Sequence, residues 1–123
     1  MKRIIIADDS ATARMFIKRC LEIIGFGEAE FIEAADGKAA LNAAKEQVPD
    51  LLLSDLNMPV MDGETLLKWI KASPKLCELP VIIITSAGNP AKEAQLLKLG
   101  ARQVLNKPIS PPVMMDALAD FLD

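Results

Sequence analysis

The sequence contains no histidine, and it contains only two cysteines. Without histidine the chain cannot itself supply a Ser-His-Asp triad, a Cys-His pair or an imidazole ligand for zinc. Two cysteines are too few for a disulfide framework, and they fit a reducing compartment. Any chemistry of this protein must therefore use carboxylates, hydroxyl groups, lysine or a bound ion.

An excess of basic charge is also missing, because 14 Lys+Arg residues stand against 17 Asp+Glu residues and the net charge is −3. Such a chain has no basic footprint for a phosphate backbone or an anionic membrane. The first apolar run, Ile4 to Ala7, stops at Asp8-Asp9 and is too short for a signal peptide or a membrane span. We therefore expect a cytoplasmic protein that neither binds nucleic acid nor inserts into a membrane.

The pattern of the chain indicates one α/β domain over residues 1–123, a length that suits a single hydrophobic core. Short β-branched runs alternate with longer helical patterns. The predicted strands are Ile4–Ala7, Ala29–Ala34, Leu51–Ser54, Val81–Ile84 and Gln103–Leu105. The first, third and fourth are apolar almost throughout, which indicates burial on both faces and hence a parallel sheet.

Each predicted helix has a recognisable start, and these starts are Ser10, Asp36-Gly37, Asp62-Gly63, Asn89-Pro90 and Ser110-Pro111. The first helix should end at Gly25 and bury one stripe made of Ala13, Phe16, Ile17, Cys20, Leu21 and Ile24. The last helix shows the same spacing in Met114, Ala117, Leu118, Phe121 and Leu122. The order βαβαβαβαβα predicts a doubly wound parallel sheet with helices on both faces.

Unusual polar residues gather at the carboxyl ends of the predicted strands, the edge at which open α/β sheets bind ligands. They are Asp8 and Asp9 after the first strand, Asp55 after the third, Thr85 and Ser86 after the fourth, and Lys107 after the fifth. Three carboxylates near one lysine require either a protonated carboxyl group or a bound divalent cation. Oxygen donors, including the backbone carbonyl of Asn57, favour Mg²⁺, and Mn²⁺ would suit them too. A carboxylate beside Mg²⁺ and lysine is a candidate phosphoryl acceptor.

Five blocks of sequence resemble the receiver domain of bacterial two-component response regulators, and in particular the CheY-like single-domain regulators. These blocks are Ile4 to Ser10, Glu33 to Gly37, Ser54 to Gly63, Pro80 to Ala87, and Asn106 to Pro108. Five blocks in order at the right spacing are specific, and the resemblance covers the whole chain. It implies a flavodoxin-like (βα)5 fold with strand order 2-1-3-4-5.

The resemblance also implies the roles of the site residues. Asp55 would accept a phosphoryl group from a partner histidine kinase or phosphotransfer protein, since the chain has no histidine of its own. The implied Mg²⁺ ligands are Asp8, Asp9, Asp55 and the carbonyl of Asn57. Thr85 would be the switch hydroxyl, Lys107 the phosphate-contacting lysine, and Lys107-Pro108 a cis peptide, with Ser86 beside them.

Two positions depart from the family pattern. The aromatic switch residue of the fifth strand is replaced by Val104, so switching would use the backbone and the fourth helix instead. Ala87 stands where relatives often carry a polar side chain near the attacking water, which predicts slow self-dephosphorylation. The chain ends at Asp123, just after the fifth helix, so we expect no effector domain and an output that comes by docking. The expected docking surface is the face of helix 4, strand 5 and helix 5, which would bind a protein target in chemotaxis-type signalling. We also expect a monomer.

Other functions remain open from sequence alone. A phosphatase with an aspartyl-phosphate intermediate usually places two carboxylates two residues apart after the first strand, whereas Asp8 and Asp9 adjoin. An FMN-binding protein would need a phosphate loop rich in Ser, Thr or Gly after that strand. An intermediate phosphorelay carrier, or a degenerate receiver that only binds partners, would share this fold. We predict a phosphoacceptor and not a turnover enzyme.

Five residues outside the site have simpler interpretations. Cys20 is expected in the core and Cys77 as a bystander. Trp69 lies off the apolar face of its helix and is expected to be partly exposed. An isolated surface aromatic is the commoner case, and a partner contact is the alternative. Met114 and Met115 on the last helix could adapt to a partner surface.

Overall fold

A computed structural model describes residues 2–86 and 89–121. The five strands are β1 (Arg3–Ala7), β2 (Glu30–Ala34), β3 (Leu51–Asp55), β4 (Val81–Thr85) and β5 (Gln103–Asn106). The helices are α1 (Ala11–Leu21), α2 (Gly37–Glu46), α3 (Gly63–Ala72), α4 (Pro90–Lys98) and α5 (Pro111–Ala117). All strand pairs are parallel and the order is β2-β1-β3-β4-β5, so the predicted fold class and strand order are confirmed.

The three central strands of this sheet, β1, β3 and β4, are buried along almost their whole length. Successive side chains of a strand point to opposite faces, so a strand covered on both faces must be apolar at every position. One set packs with α1 and α5 and contains Ile4, Ile6, Leu51, Leu53, Ile82 and Ile84. The alternate set packs with α2, α3 and α4 and contains Ile5, Ala7, Leu52, Val81 and Ile83.

All five predicted helix starts are confirmed. In each case the side-chain oxygen of the N-cap residue accepts the N–H of the third residue along, and these caps are Ser10, Asp36, Asp62, Asn89 and Ser110. Such a cap contributes about 1 kcal/mol to helix stability. Because α1, α2 and α3 begin directly at the carboxyl edge of the sheet, their caps also fix the backbone around the predicted site.

The predicted strand bounds differ from the observed ones by one residue each. The most informative differences are at β3 and β4, which include Asp55 and Thr85 as their last residues. The ladder continues that far because Asp55 pairs with Ile84 and Thr85 pairs with Asn106. The two polar side chains are therefore held by the sheet itself rather than by the loops that follow.

The prediction for α1 was right about where the helical backbone ends and wrong about one position of its buried stripe. The α-helix passes after Leu21 into a π-helical turn over Glu22–Phe26, and the helical backbone is interrupted inside that turn at Gly25, whose φ is 118°. Phe16 is 49% exposed instead of lying in a buried stripe. It borders an open cavity that separates α1 from the β5–α5 connection, so it lacks the cover that the sheet gives to Ile17.

On α5, Met114 is fully buried and cannot form a partner surface, contrary to expectation, whereas Met115 is 42% exposed. The predicted stripe position Leu122 lies outside the described residues. Cys20 is buried, as predicted, and burial raises the pKa of its thiol, whereas Cys77 is exposed. Within the described part of the chain, none of the helices combines the length and the apolar character needed to cross a bilayer.

Candidate functional site

Three carboxylates meet at the carboxyl edge of the sheet. Asp8, Asp9 and Asp55 each present an oxygen within 4.8 Å of the other two. Asp55 is the last residue of β3, and Asp8 directly follows β1, the parallel neighbour of β3. Asp8 and Asp55 are 1% and 8% exposed, whereas Asp9 lies at the surface. The structure therefore brings together the acidic residues that the sequence placed at one edge.

Lys107 is the cation of this cluster. Its Nζ lies 3.0 Å from Oδ2 of Asp8 and 3.5 Å from Oδ2 of Asp55. Partial burial on its own lowers the pKa of Lys107, but the bond to Asp8 and the charge of Asp55 outweigh it and raise the pKa. The lysine therefore stays protonated, yet one ammonium cannot neutralise three carboxylates.

Asp55 carries the electrostatic cost of this arrangement. Burial, followed by the charge of Asp8, raises the pKa of its carboxyl group above the ordinary value. Lys107 and the backbone N–H groups of Leu56 and Asn57 oppose this shift without cancelling it. A buried group of carboxylates with excess negative charge and an exposed third member fits a hard divalent cation that keeps some water ligands.

The loop after Asp55 folds back tightly onto the site. The N–H of Gly63 donates to the carbonyl of Leu56 at 2.8 Å. The carbonyl oxygen of Asp55 occupies the space that a β-carbon at Gly63 would need, so only glycine fits there. Within the same loop Val60 has a φ of 67° and is 81% exposed. Neither the close approach nor the left-handed valine followed from the sequence.

The remaining predicted site residues lie on the neighbouring strands and loops. Thr85 is fully buried, and its carbonyl oxygen accepts the N–H of Lys107 at 2.9 Å. Ser86 is exposed next to it, and the Lys107-Pro108 peptide is cis. The end of β4 and the start of the β5–α5 connection are thus joined directly at the site.

Three further residues that the sequence assigned to the site or its switch are Asn57, Val104 and Ala87. Asn57 is exposed in the loop two residues beyond Asp55. Val104 is half-buried opposite Ile83 in the ladder between β4 and β5. Ala87 lies outside the described residues.

Sequence reasoning missed Arg14. One of its terminal nitrogens donates to the carbonyl of Asp8 at 2.5 Å, and its Nε donates to Glu33 at 2.9 Å. It therefore ties α1 to the backbone of Asp8 and to the end of β2. The sequence did contain information that points to Arg14. This residue comes four positions after the Ser10 cap and therefore lies on the turn of α1 nearest the carboxyl edge of the sheet.

A cavity of about 580 Å³ was also missed, and it opens beside Lys107. Its walls are mainly apolar and come from α1, the end of β4 and the β5–α5 connection. No local sequence pattern reports the space between two elements that are far apart in the chain.

Comparison with known proteins gives consistent results. The family model described as "Response regulator receiver domain" matches residues 4–119. A "Chemotaxis protein CheY homolog" of Campylobacter jejuni is 33% identical over 121 residues, which are 98% of this chain and 92% of that protein. The "Polar-differentiation response regulator DivK" of Brucella anthropi is 29% identical over 121 residues, 98% of this chain and 96% of that protein. The solved structure of the chemotaxis response regulator CheY4 of Vibrio cholerae is similar with a TM-score of 0.86 and 30% identity, over 99% of both chains.

Proposed function

Because this chain belongs to the response regulator receiver family, whose members act in two-component signalling as phosphoacceptors, we propose that Asp55 is its phosphorylated residue. The observation that carries this proposal is the position of Asp55 between Asp8 and Lys107, at the end of a fully buried strand. The phosphoryl donor is the phosphohistidine of a partner kinase or phosphotransfer protein.

In the transfer step a carboxylate oxygen of Asp55 attacks the phosphorus atom in line with the leaving nitrogen. The new P–O bond forms an acyl phosphate while the P–N bond of the donor breaks. The electron pair of that bond stays on the imidazole, which takes a proton from water and leaves as the neutral ring. The Lys107 ammonium binds a phosphoryl oxygen, and the Thr85 hydroxyl binds another.

The acidic cluster fits Mg²⁺ through the carboxylates of Asp8, Asp9 and Asp55 and the carbonyl of Asn57. When bound, this ion neutralises charge on the cluster and on the phosphoryl oxygens. Arg14 holds the backbone of Asp8, and the caps of α1 and α3 hold the loops on either side. The residues of the chain thus supply orientation and charge balance, which are the main requirements of phosphoryl transfer.

The output is a change at the face made by α4, β5 and α5, which binds a protein target in a phosphorylation-dependent way. With Val104 in place of a ring, repacking of the backbone and of α4 carries the change from Thr85 to this face. The CheY homologues support a role in chemotaxis-type signalling. We take the protein to be a cytoplasmic monomer that undergoes self-catalysed phosphorylation and dephosphorylation rather than a turnover enzyme. Ala87 predicts a long-lived phosphoryl group.

The test is incubation with Mg²⁺ and acetyl phosphate or phosphoramidate, followed by intact mass measurement. We expect one phosphoryl group on the wild-type chain and none on Asp55→Asn. Asp116→Asn, at an exposed aspartate of α5, is the matched control and should be phosphorylated normally. Phosphorylation of Asp55→Asn, or full phosphorylation in the presence of a chelator, would contradict the proposal. Multiple turnover on a phosphomonoester would instead identify a phosphatase.

A further inference from the structure

The only tryptophan of the chain, Trp69, lies on α3 with 55% of its surface exposed. Tryptophan is highly buried on average, so a half-exposed indole ring is unusual for a structural residue. The ring lies between two shallow hollows of about 290 Å³ and 180 Å³. The first is lined by Thr65, Lys68, Trp69 and Ala72, and the second by Lys45, Trp69, Ala72 and Ser73.

Lysine side chains line both hollows beside this ring, although the chain as a whole is negative. Each hollow contains one lysine and no carboxylate. The ammonium of Lys75 donates to the carbonyl of Lys45 at 2.6 Å, which brings a third positive charge to the same surface. Among residues 2–86 and 89–121, no ion pair includes Lys45 or Lys75, and Lys68 pairs only with Glu64. We call Lys45, Lys68, Trp69, Ala72 and Lys75 the Trp69 patch.

The Trp69 patch lies at the opposite edge of the sheet from the acidic cluster. Both α2 and α3 begin at the carboxyl edge, at Asp36 and Asp62, and run back towards the start of the strands. Lys45 and Trp69 belong to the last turns of these helices. The patch is therefore remote from Asp55, and on the side of α4 it adjoins Glu64, whose carboxylate pairs with both Lys68 and Lys92.

We propose that the Trp69 patch binds an acidic segment of a partner protein whether or not Asp55 is phosphorylated. An apolar side chain of the segment packs on the indole ring and Ala72, and flanking carboxylates pair with Lys45 and Lys68. The hollows are too small and too open for a small-molecule site, which typically encloses roughly 300–1,000 Å³. Three lysines on a chain of net charge −3 are too few for a nucleic-acid backbone or an anionic bilayer, which are gripped through many more cations.

Trp69 itself reports binding, because its fluorescence is the only tryptophan signal of the protein. The probe is a blocked peptide without Trp or Tyr, with one central Phe flanked by four Asp or Glu residues. Its matched control replaces these acids by Asn and Gln. We expect a saturable change in Trp69 emission with the acidic peptide and a much weaker response to the amide peptide. Beryllofluoride with Mg²⁺, a mimic of the phosphoryl group, should leave the affinity unchanged.

The variant Lys45→Glu/Lys68→Glu should weaken binding of the acidic peptide by about ten-fold, since two exposed ion pairs are lost and charge reversal adds repulsion. Arg19→Glu/Lys98→Glu changes the net charge equally at exposed sites on α1 and α4 and should have little effect. Circular dichroism checks that both variants fold. Equal binding of the acidic and amide peptides, equal losses in the two variants, or preferential binding of phosphatidylglycerol vesicles or single-stranded RNA would overturn the proposal. Because this binding needs no phosphorylation, its failure leaves the role of Asp55 intact.

Discussion

Strands β1 and β3 belong both to the middle of the sheet, together with β4, and to the part of its carboxyl edge that carries the acidic cluster. In the middle, Ile5, Leu52 and Ile83 are fully buried among other apolar side chains. At the edge, Asp8 and Asp55 are almost as buried, but there burial opposes the charge of Asp55. The free energy gained by burying apolar side chains in the middle of the sheet therefore holds the carboxyl edge in place. The residues at that edge need not stabilise the fold themselves, and so they can serve chemistry.

The largest effect should come from removing apolar contacts in the core that packs on the middle strands. Leu67 on α3 is fully buried in the cluster that packs on one face of the sheet. Leu67→Ala removes apolar contacts and leaves a cavity, so we expect the free energy of unfolding to fall by about 3 kcal/mol. Urea denaturation followed by circular dichroism measures this loss. Leu97→Ala, at a leucine of α4 that is 48% exposed, is the control and should cost less than about 1 kcal/mol. Similar losses in both variants would mean that the middle does not dominate stability.

A substitution at the carboxyl edge should raise the free energy of unfolding instead of lowering it. The pKa of Asp55 is raised in the folded state, first by burial and then by Asp8, so the folded protein binds this proton more tightly than the unfolded chain. The penalty is absent below the ordinary carboxyl pKa, grows as the pH rises from that value to the raised pKa of the folded state, and is constant at higher pH. Asp55→Asn should therefore stabilise the metal-free protein by about 1 kcal/mol at pH 7 and by nothing near pH 3.

Thermal unfolding in the presence of a chelator, at several pH values, measures this difference. Adding Mg²⁺ should then make the wild type the more stable of the two proteins. At a free concentration of ten times its Kd, an ion bound only by the folded state stabilises it by about 1.4 kcal/mol, and Asp55→Asn lacks one of the ligands for that ion. A destabilised Asp55→Asn protein at pH 7 without metal would show that Lys107 outweighs the charge of Asp8. Equal stabilisation of both proteins by Mg²⁺ would remove Asp55 from the set of ligands.

The middle of the sheet was predictable because its rules are local. Continuous apolarity identifies the buried strands, and a cap such as Asp62 acts on a residue only three positions away. The convergence of Asp8, Asp55 and Lys107 was predictable too, since parallel strands place their carboxyl ends together. The exposure of Phe16 was not, because it depends on how closely α1 approaches a connection some ninety residues later in the chain. The conformation of Val60 was not either, since it follows from the closure of the loop between Leu56 and Gly63.

The smallest effect is expected at Val60. It tests whether the carboxyl edge of the sheet also contains a residue with a strained backbone. Val60 has a φ of 67°, a left-handed conformation that is costly for a β-branched residue, and its side chain is 81% exposed. Val60→Gly removes the conformational cost without loss of packing, but glycine also gives the unfolded chain more freedom. We expect a net gain of about 0.5 kcal/mol in urea denaturation.

Val48→Gly is the matched control, because Val48 is also exposed but has no positive φ. There no strain is relieved, while the unfolded chain gains freedom and the partly buried side chain loses contacts, so the variant should lose stability. If the two glycine variants lost stability equally, the loop would carry no strain at Val60. If only Val48→Gly loses stability, the edge holds a strained valine as well as crowded carboxylates. The loop that follows Asp55 then resembles the acidic cluster in one respect. Both are locally unfavourable in the folded state, and the free energy gained in the apolar interior offsets that cost.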